Sequence, residues 1–167
     1  LPQDVTTLFA CQTAEEELAE VGISVPDTLM AAAHTHPYDL SGGQKQLLAL
    51  TKVLATHPRL LLLDEPTKGL DSTARERIAK TLRELRKSGL TIVCVTHDVD
   101  FAAAIADRCA FFFRGEITSM DAPRRFFADN RFYTTAVCRI TRGYYDNAVT
   151  VADAKALCKA NGYRREE

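Results

Sequence analysis

The sequence has no excess of either charge sign, no long apolar run and no paired cysteine spacing, and each absence removes a class of protein. Lysine and arginine number 21 against 22 aspartate and glutamate, and the formal net charge is -1. The basic residues are scattered, so the patch or stripe of a nucleic-acid binder is missing and nucleic acid is not an expected partner. No stretch approaches the roughly 18 to 20 apolar residues of a membrane-spanning helix, and no basic segment leading into an apolar one marks a signal peptide. The expectation is a chain that does not cross a membrane by itself. The five cysteines, Cys11, Cys94, Cys109, Cys138 and Cys158, are odd in number, far apart and outside any CxxC pattern, which fits reduced cytosolic thiols. Cys94 and Cys109 lie in apolar runs and should pack as small hydrophobes. His34, His36 and His57 have no Cys or carboxylate companions at metal spacing and read as loop residues. No internal repeat or low-complexity segment is visible.

What is present suits one globular domain: 167 residues, 46 % hydrophobic and 26 % charged, enough to bury a core. Residues 1–37 read as helical and partly irregular, with helix formers over Thr13–Glu20 and prolines around Val25–His36. Leu47, Leu48, Leu50, Val53 and Leu54 recur at helical spacing until Pro58 ends the helix. The four-leucine run Leu60–Leu63 predicts a short strand buried on both faces, as in a parallel sheet. Ser72–Ser88 places Ile78, Leu82 and Leu85 on one helix face, with Asp71 or Ser72 as N-cap and Gly89 just past the end. A strand over Thr91–His97, a helix over Val99–Ala106 and a strand over Cys109–Phe113 follow, and Arg114-Gly115 turns the chain into a hairpin with Glu116–Met120. Strands alternating with helices give an α/β fold. Beyond Asp121, Pro123–Asn130 and Val151–Asn161 read as helices, the second with Thr150 as N-cap, Asp153 three residues on and Gly162 as stop. The aromatics Phe126, Phe127, Phe132, Tyr133, Tyr144 and Tyr145 of this tail are expected to pack onto the core, with a partner surface as the alternative.

The stretch "LSGGQ", Leu40–Gln44, carries the first chemical signal. A serine and two glycines at a helix start leave bare backbone amides at the positive end of the helix dipole, a setting that attracts phosphate oxygens. On its own the same triplet also suits a flexible turn. At the end of the leucine run stand two adjacent carboxylates, Asp64 suited to a hydrated Mg2+ and Glu65 to polarising a water. A solvated acidic turn is the plainer alternative, but ligands in parallel sheets gather at the carboxyl ends of the strands, where Asp64, Glu65 and His97 all fall.

Together, "LSGGQ" at Leu40–Gln44, "LLLLDEPT" at Leu60–Thr67, "GLD" at Gly69–Asp71 and "THD" at Thr96–Asp98 resemble an ABC-type ATPase. The resemblance implies an α/β fold, the C-terminal part of a P-loop NTPase domain, with a mainly parallel sheet flanked by helices, a helical subdomain and a C-terminal helical extension. It implies three regions: residues 1–57 with the Q-loop and the helical signature subdomain, 58–120 as the C-terminal part of the ATP-binding core with the Walker B, D-loop and switch-histidine residues, and 121–167 as the helical extension. It implies ATP and Mg2+ as ligands. Ser41, Gly42, Gly43 and Gln44 would bind the γ-phosphate of ATP held by the opposite subunit of a head-to-tail dimer. Asp64 would be the Walker B carboxylate at the metal, Glu65 the catalytic base, Asp71 the D-loop aspartate and His97 the switch histidine. "LPQDV" resembles the Q-loop, which makes Gln3 the residue linking Mg2+ and the attacking water to a membrane partner.

The chain departs from the family pattern in lacking any GxxxxGK[ST], the loop that cradles the β- and γ-phosphates. It therefore resembles only the second part of the family's domain, and a fragment is the simplest explanation. Leu47 stands where the family commonly has an arginine. "TAEEELAE" at Thr13–Glu20 and the tail "RFYTTAVCRITRGYYDNAVTVADAKAL" at Arg131–Leu157 resemble the ATPase subunits of energy-coupling factor transporters, which take up vitamins or metal ions. That implies a peripheral position on the cytoplasmic face of the membrane, held by a transmembrane coupling subunit and paired with a second ATPase. Two other readings stay open: a soluble ABC ATPase outside transport, and a non-catalytic module that supplies only its signature to a partner's ATP.

Overall fold

Most helix starts among the described residues are set by side chains that satisfy the free amides of the first turn. The computed structural model describes residues 1–130, 133–145 and 148–162. The chain divides after His97 into the units Leu1–His97 and Asp98–Glu167.

In the first unit Asp4 caps a 3₁₀ turn over Val5–Leu8. Helix α1 (Ala14–Ala19) opens on a reciprocal box in which Thr13 and Glu16 bond each other's backbone amides. Two further 3₁₀ turns, Met30–Ala32 and Pro37–Asp39, complete the irregular start expected of residues 1–37. Helix α2 (Gly42–Leu54) begins with a second such box between Ser41 and Gln44. Its buried Leu48 and Ala49 join Val5, Phe9, Ala14, Leu18, Leu29 and Leu40 in one apolar cluster. The helix ends at Leu54, and His57, at φ 48°, turns the chain ahead of Pro58.

Strand β1 (Leu60–Asp64) and strand β2 (Thr91–Val95) pair in parallel, from Leu60 opposite Thr91 to Asp64 opposite Val95. Helix α3 (Ser72–Lys87) makes the crossover, capped by Asp71 and burying Ile78, Ala79 and Leu82. The crossover returns through Gly89, whose φ of 97° a side chain would strain. The uniform leucine run does not give a strand buried on both faces. Leu61 and Leu63 are buried, but Leu60, Leu62, Val93 and Val95 are between 49 and 63 % exposed. Alternate side chains point to opposite faces, so these four share one side of the pair, and that side is open among the described residues.

In the second unit Asp98 caps helix α4 (Val99–Ile105). Strands β3 (Cys109–Phe113) and β4 (Glu116–Asp121) form the expected antiparallel hairpin. Its two-residue turn puts Arg114 at φ 51° and Gly115 at φ 88°, the pair of positive values a type I′ turn demands. Helices α5 (Pro123–Asp129) and α7 (Val151–Ala160) stand where the sequence placed them. Between them lies a further helix, α6 (Ala136–Thr141), capped by Thr135. Ala103, Cys109, Phe127, Cys138 and Val149 form this unit's core. Phe127 and the partly buried Phe126 are thus tail aromatics that pack, whereas Tyr133, Tyr144 and Tyr145 are exposed. Phe132 lies outside the described residues. No helix among the described residues is long and apolar enough to cross a membrane.

One buried ion pair ties the first unit together. Glu17 on α1 is wholly buried. It accepts from the amides of Ala10 and Cys11 and from the Lys52 ammonium on α2, and Lys52 also reaches Glu20 and the Leu8 carbonyl at 3.0 and 3.1 Å. Cys11, Glu17 and Glu20 offer ligand atoms within 4.8 Å of one another, but the cation between the carboxylates is the lysine itself. Burial pushes the Glu17 carboxyl up; the Cys11 amide, Lys52 and the Ala10 amide outweigh it and hold the group below its ordinary value. Removing one partner of such a pair leaves a charge buried and uncompensated. Lys52→Met should therefore cost about 3 kcal/mol in urea unfolding, the lower end of the usual range because two amides still bind Glu17. A loss below about 1 kcal/mol would show that the amides suffice. Because the folded carboxyl titrates low, its contribution is present above the ordinary glutamate pKa and is lost as pH falls through the folded value. The acid limb of the stability curve should be flatter in Glu17→Gln.

Candidate functional site

The parallel register brings the two strand ends level, and the backbone ladder runs one step past it: the Glu65 amide donates to the Val95 carbonyl at 2.8 Å. Glu65 then leaves the strand at φ 47°, a left-handed value unusual for a residue with a Cβ. That turn aims its carboxylate at the end of β2. There the His97 amide donates to Oε1 at 3.0 Å, His97 Nδ1 meets the same oxygen at 2.7 Å and Thr96 Oγ1 donates to Oε2 at 3.1 Å. The Glu65 side chain is 17 % exposed and the His97 ring 78 %. Burial pushes the Glu65 carboxyl up, but His97, Thr96 and the His97 amide together hold it below the ordinary glutamate range. An ionised Glu65 can only accept, so His97 Nδ1 is the donor in this contact.

Asp64, one residue earlier, stays exposed at the strand end. Leu1 pairs with the other edge of β1, donating to the Leu62 carbonyl at 2.6 Å and accepting from the Asp64 amide at 3.0 Å. Gln3 follows two residues on, exposed. An exposed carboxylate and an amide oxygen suit Mg2+, which takes few protein ligands and keeps waters or phosphate oxygens for the rest. Cys94, beside this site on β2, is pushed up to about 12 by burial and by the Glu65 and Asp64 charges, which makes it a packed thiol and not a nucleophile.

A second cluster forms at the starts of α2 and α3. Ser41 Oγ accepts from the Gln44 amide at 3.3 Å, and Gln44 Oε1 accepts from the Ser41 amide at 2.9 Å. Asp71 Oδ1 accepts from the Ala74 amide at 2.8 Å. Gly42 lies against the turn before α3, next to Leu70 and the Gly69 carbonyl. Ser41, Gly42, Gly43, Gln44 and Asp71 thus share one corner, whereas Asp64, Glu65 and His97 share the strand ends. Residues 65–71 join the two clusters, through turn bonds from Lys68 to Glu65 and from Leu70 to Thr67. Thr96 stands in the "THD" stretch but is not among the site residues the sequence predicts; its contact with Glu65 is what marks it.

A family model described as "AAA domain, putative AbiEii toxin, Type IV TA system" matches residues 31–103, which take in both clusters. A "Putative ABC transporter ATP-binding protein" of Bacillus cereus is 48 % identical over 130 residues, 78 % of this chain and 24 % of its own length. Among solved structures, cbiO1 of Clostridium perfringens, "Part of the ABC transporter complex cbiONQ", superposes with a TM-score of 0.64 at 28 % identity over 76 % of this chain and 57 % of its own. The fold is that of part of an ABC ATPase domain. A dimeric ATP-binding cassette, MJ0796, in "a post-hydrolysis state" and "bound to ADP and Pi", superposes at a TM-score of 0.52 and 34 % identity over 65 % of this chain and 45 % of its own. By name these relatives and neighbours are ATP-binding proteins, cassettes or parts of ABC transporters, and this chain is similar to part of each. The chain spans between 22 and 24 % of the length of the first curated relatives it matches.

The clasp on Glu65 yields a direct expectation. Thr96→Val removes one donor without changing side-chain shape, so the Glu65 carboxyl should titrate higher than in the parent chain, as followed by carbon-13 NMR of a labelled carboxyl. An unchanged midpoint would mean that His97 alone sets the carboxylate's acidity.

Proposed function

We propose that this chain is the ATP-hydrolysing half of a transporter ATPase, with Glu65 as the base that takes the proton from the water attacking the γ-phosphate. The observation that carries the reading is the clasp: Glu65 is kept ionised and aimed by Thr96 and His97 at the carboxyl end of a parallel strand. A carboxylate has about four acceptor sites, so one can receive the water's proton while the others keep their donors. Asp64 and Gln3 would hold Mg2+, which when bound draws charge from the phosphate oxygens. His97, whose ring is largely exposed, would meet the γ-phosphate. Ser41, Gly42, Gly43, Gln44 and Asp71 would face ATP held by a second ATPase subunit, in line with the dimeric, ADP- and Pi-bound cassette that the chain resembles.

The transporter class we favour is energy-coupling factor uptake of a vitamin or a metal ion. Its support is the similarity to cbiO1, a component of a transporter complex, together with the sequence features of residues 13–20 and 131–157. The subunit would then sit at the cytoplasmic face of the membrane through a transmembrane partner. A second reading has its own observation. Because the 167 residues contain no GxxxxGK[ST] loop, the chain by itself would act as a module that completes a partner's ATP site without hydrolysing ATP alone.

Mg-ATP hydrolysis by the 167-residue chain, beside a longer polypeptide that carries a GxxxxGK[ST] loop ahead of Leu1, tests both. We expect turnover only in the longer polypeptide, and a fall of about 10²- to 10⁴-fold in its Glu65→Gln variant. Unchanged turnover in Glu65→Gln would remove Glu65 as the base. A folded longer polypeptide with no turnover would favour the non-catalytic module. Ser41→Arg, which puts bulk and charge where the partner's phosphate would lie, should abolish ATP-dependent dimerisation of the longer polypeptide in sedimentation; undiminished dimerisation would remove Ser41 from that contact.

A further inference from the structure

Gly43 is a glycine for want of space. The glycines at positive φ, such as Gly22, Gly69 and Gly89, have nothing within 4 Å of where a Cβ would stand, so their backbone conformation alone explains them. Gly42 and Gly43 are not among the residues of positive φ. A Cβ built on Gly43 would instead lie 2.6 Å from the Ala74 Cβ, and one on Gly42 would lie 3.4 Å from Leu70 Cδ2. An alanine methyl has no rotamer by which to withdraw, so a methyl at 43 must push α2 and α3 apart. Ala74 is itself fixed, since its amide is the one Asp71 caps.

We propose that the Gly43–Ala74 contact is a rigid joint that holds the Ser41–Gln44 turn and the Asp71 turn in one fixed arrangement, and that Ala74 is thereby a positioning residue for the partner's ATP. The proposal rests on the reading that both turns face a partner's nucleotide. It adds that they are presented together: Asp71 fixes the first turn of α3, Ala74 sets how near α2 can come, and Gly43 permits the approach. Bare amides at a phosphate are one reason for glycine here; the packing of Ala74 is a second, steric one at position 43.

The test is a cycle of Gly43→Ala, Ala74→Gly and the pair together, read in two ways. In the 167-residue chain, amide hydrogen exchange should be faster by about tenfold or more in Gly43→Ala, over 70–75 as well as over 42–46. Adding Ala74→Gly should restore both segments to within about threefold of the parent. If Gly43→Ala does not fold, folding of the double variant is the same rescue, and Ala74→Val alone should disturb both segments in the same way. An effect confined to 42–46, or no rescue, overturns the joint. In the longer polypeptide, Gly43→Ala should lower kcat by about tenfold or more, with the double variant recovering most of it. A kcat left low in the double variant, with exchange restored, would show that the glycine serves the phosphate itself and would overturn the positioning role. If the parent polypeptide has no turnover, the functional reading fails while exchange still decides the joint.

Discussion

The parallel pairing of β1 with β2 sets the place of every charged group at the strand ends. With Asp64 level with Val95, the next residue of each strand leaves the sheet at the same height, and Glu65 meets Thr96 and His97 across a gap that three hydrogen bonds can close. A slip by one residue would carry the whole alternation to the other face and separate the carboxylate from its donors. The left-handed backbone at Glu65 costs roughly 1 to 2 kcal/mol for a residue with a Cβ. Donors on an ionised carboxylate are each worth about as much, so the turn is held by the contacts it creates. Two neighbouring carboxylates are thereby made chemically different: Asp64 remains open to solvent while Glu65 is engaged and kept ionised.

The same logic runs through the helical part of the first unit. Glu17 is more deeply buried than any other carboxylate described, and its partners are backbone amides and Lys52 from the neighbouring helix. One charge thus pins the 8–11 loop and both helices. Such an arrangement fixes geometry more than it adds stability, since the desolvation of both charges offsets much of their attraction.

Much of the site was legible in the sequence because it is local. The carboxylates at the end of a leucine run, the capped start of α2, Asp71 at the start of α3 and the α/β alternation all follow from short-range patterns, and the structure has each of them. The parts that were not legible depend on what lies across a gap. Four leucines in a row read as a strand covered on both sides, yet Leu60 and Leu62 face outward, because coverage belongs to the neighbouring layer and not to the strand. Glu17 read as one more helix former on a polar stretch, and only the approach of Lys52 makes it interior. Thr96 needed the fold to bring Glu65 to it. Helix α6 is too short for periodicity to reveal and owes its start to the Thr135 cap. Of the tail aromatics, Phe126 and Phe127 pack on the core as expected, but the tyrosines stay at the surface.

The outward face of the β1–β2 pair has a practical meaning for handling this chain. Leu60, Leu62, Val93 and Val95 form an exposed apolar strip on one side of the two-stranded pair. Two such strips can shield each other by meeting face to face. The strip therefore couples the chain's colloidal behaviour to its solvent. Salts excluded from protein surfaces, such as sulfate, should drive the strips together, and low concentrations of urea should keep them apart while the capped helices and the Glu17–Lys52 pair hold their shape.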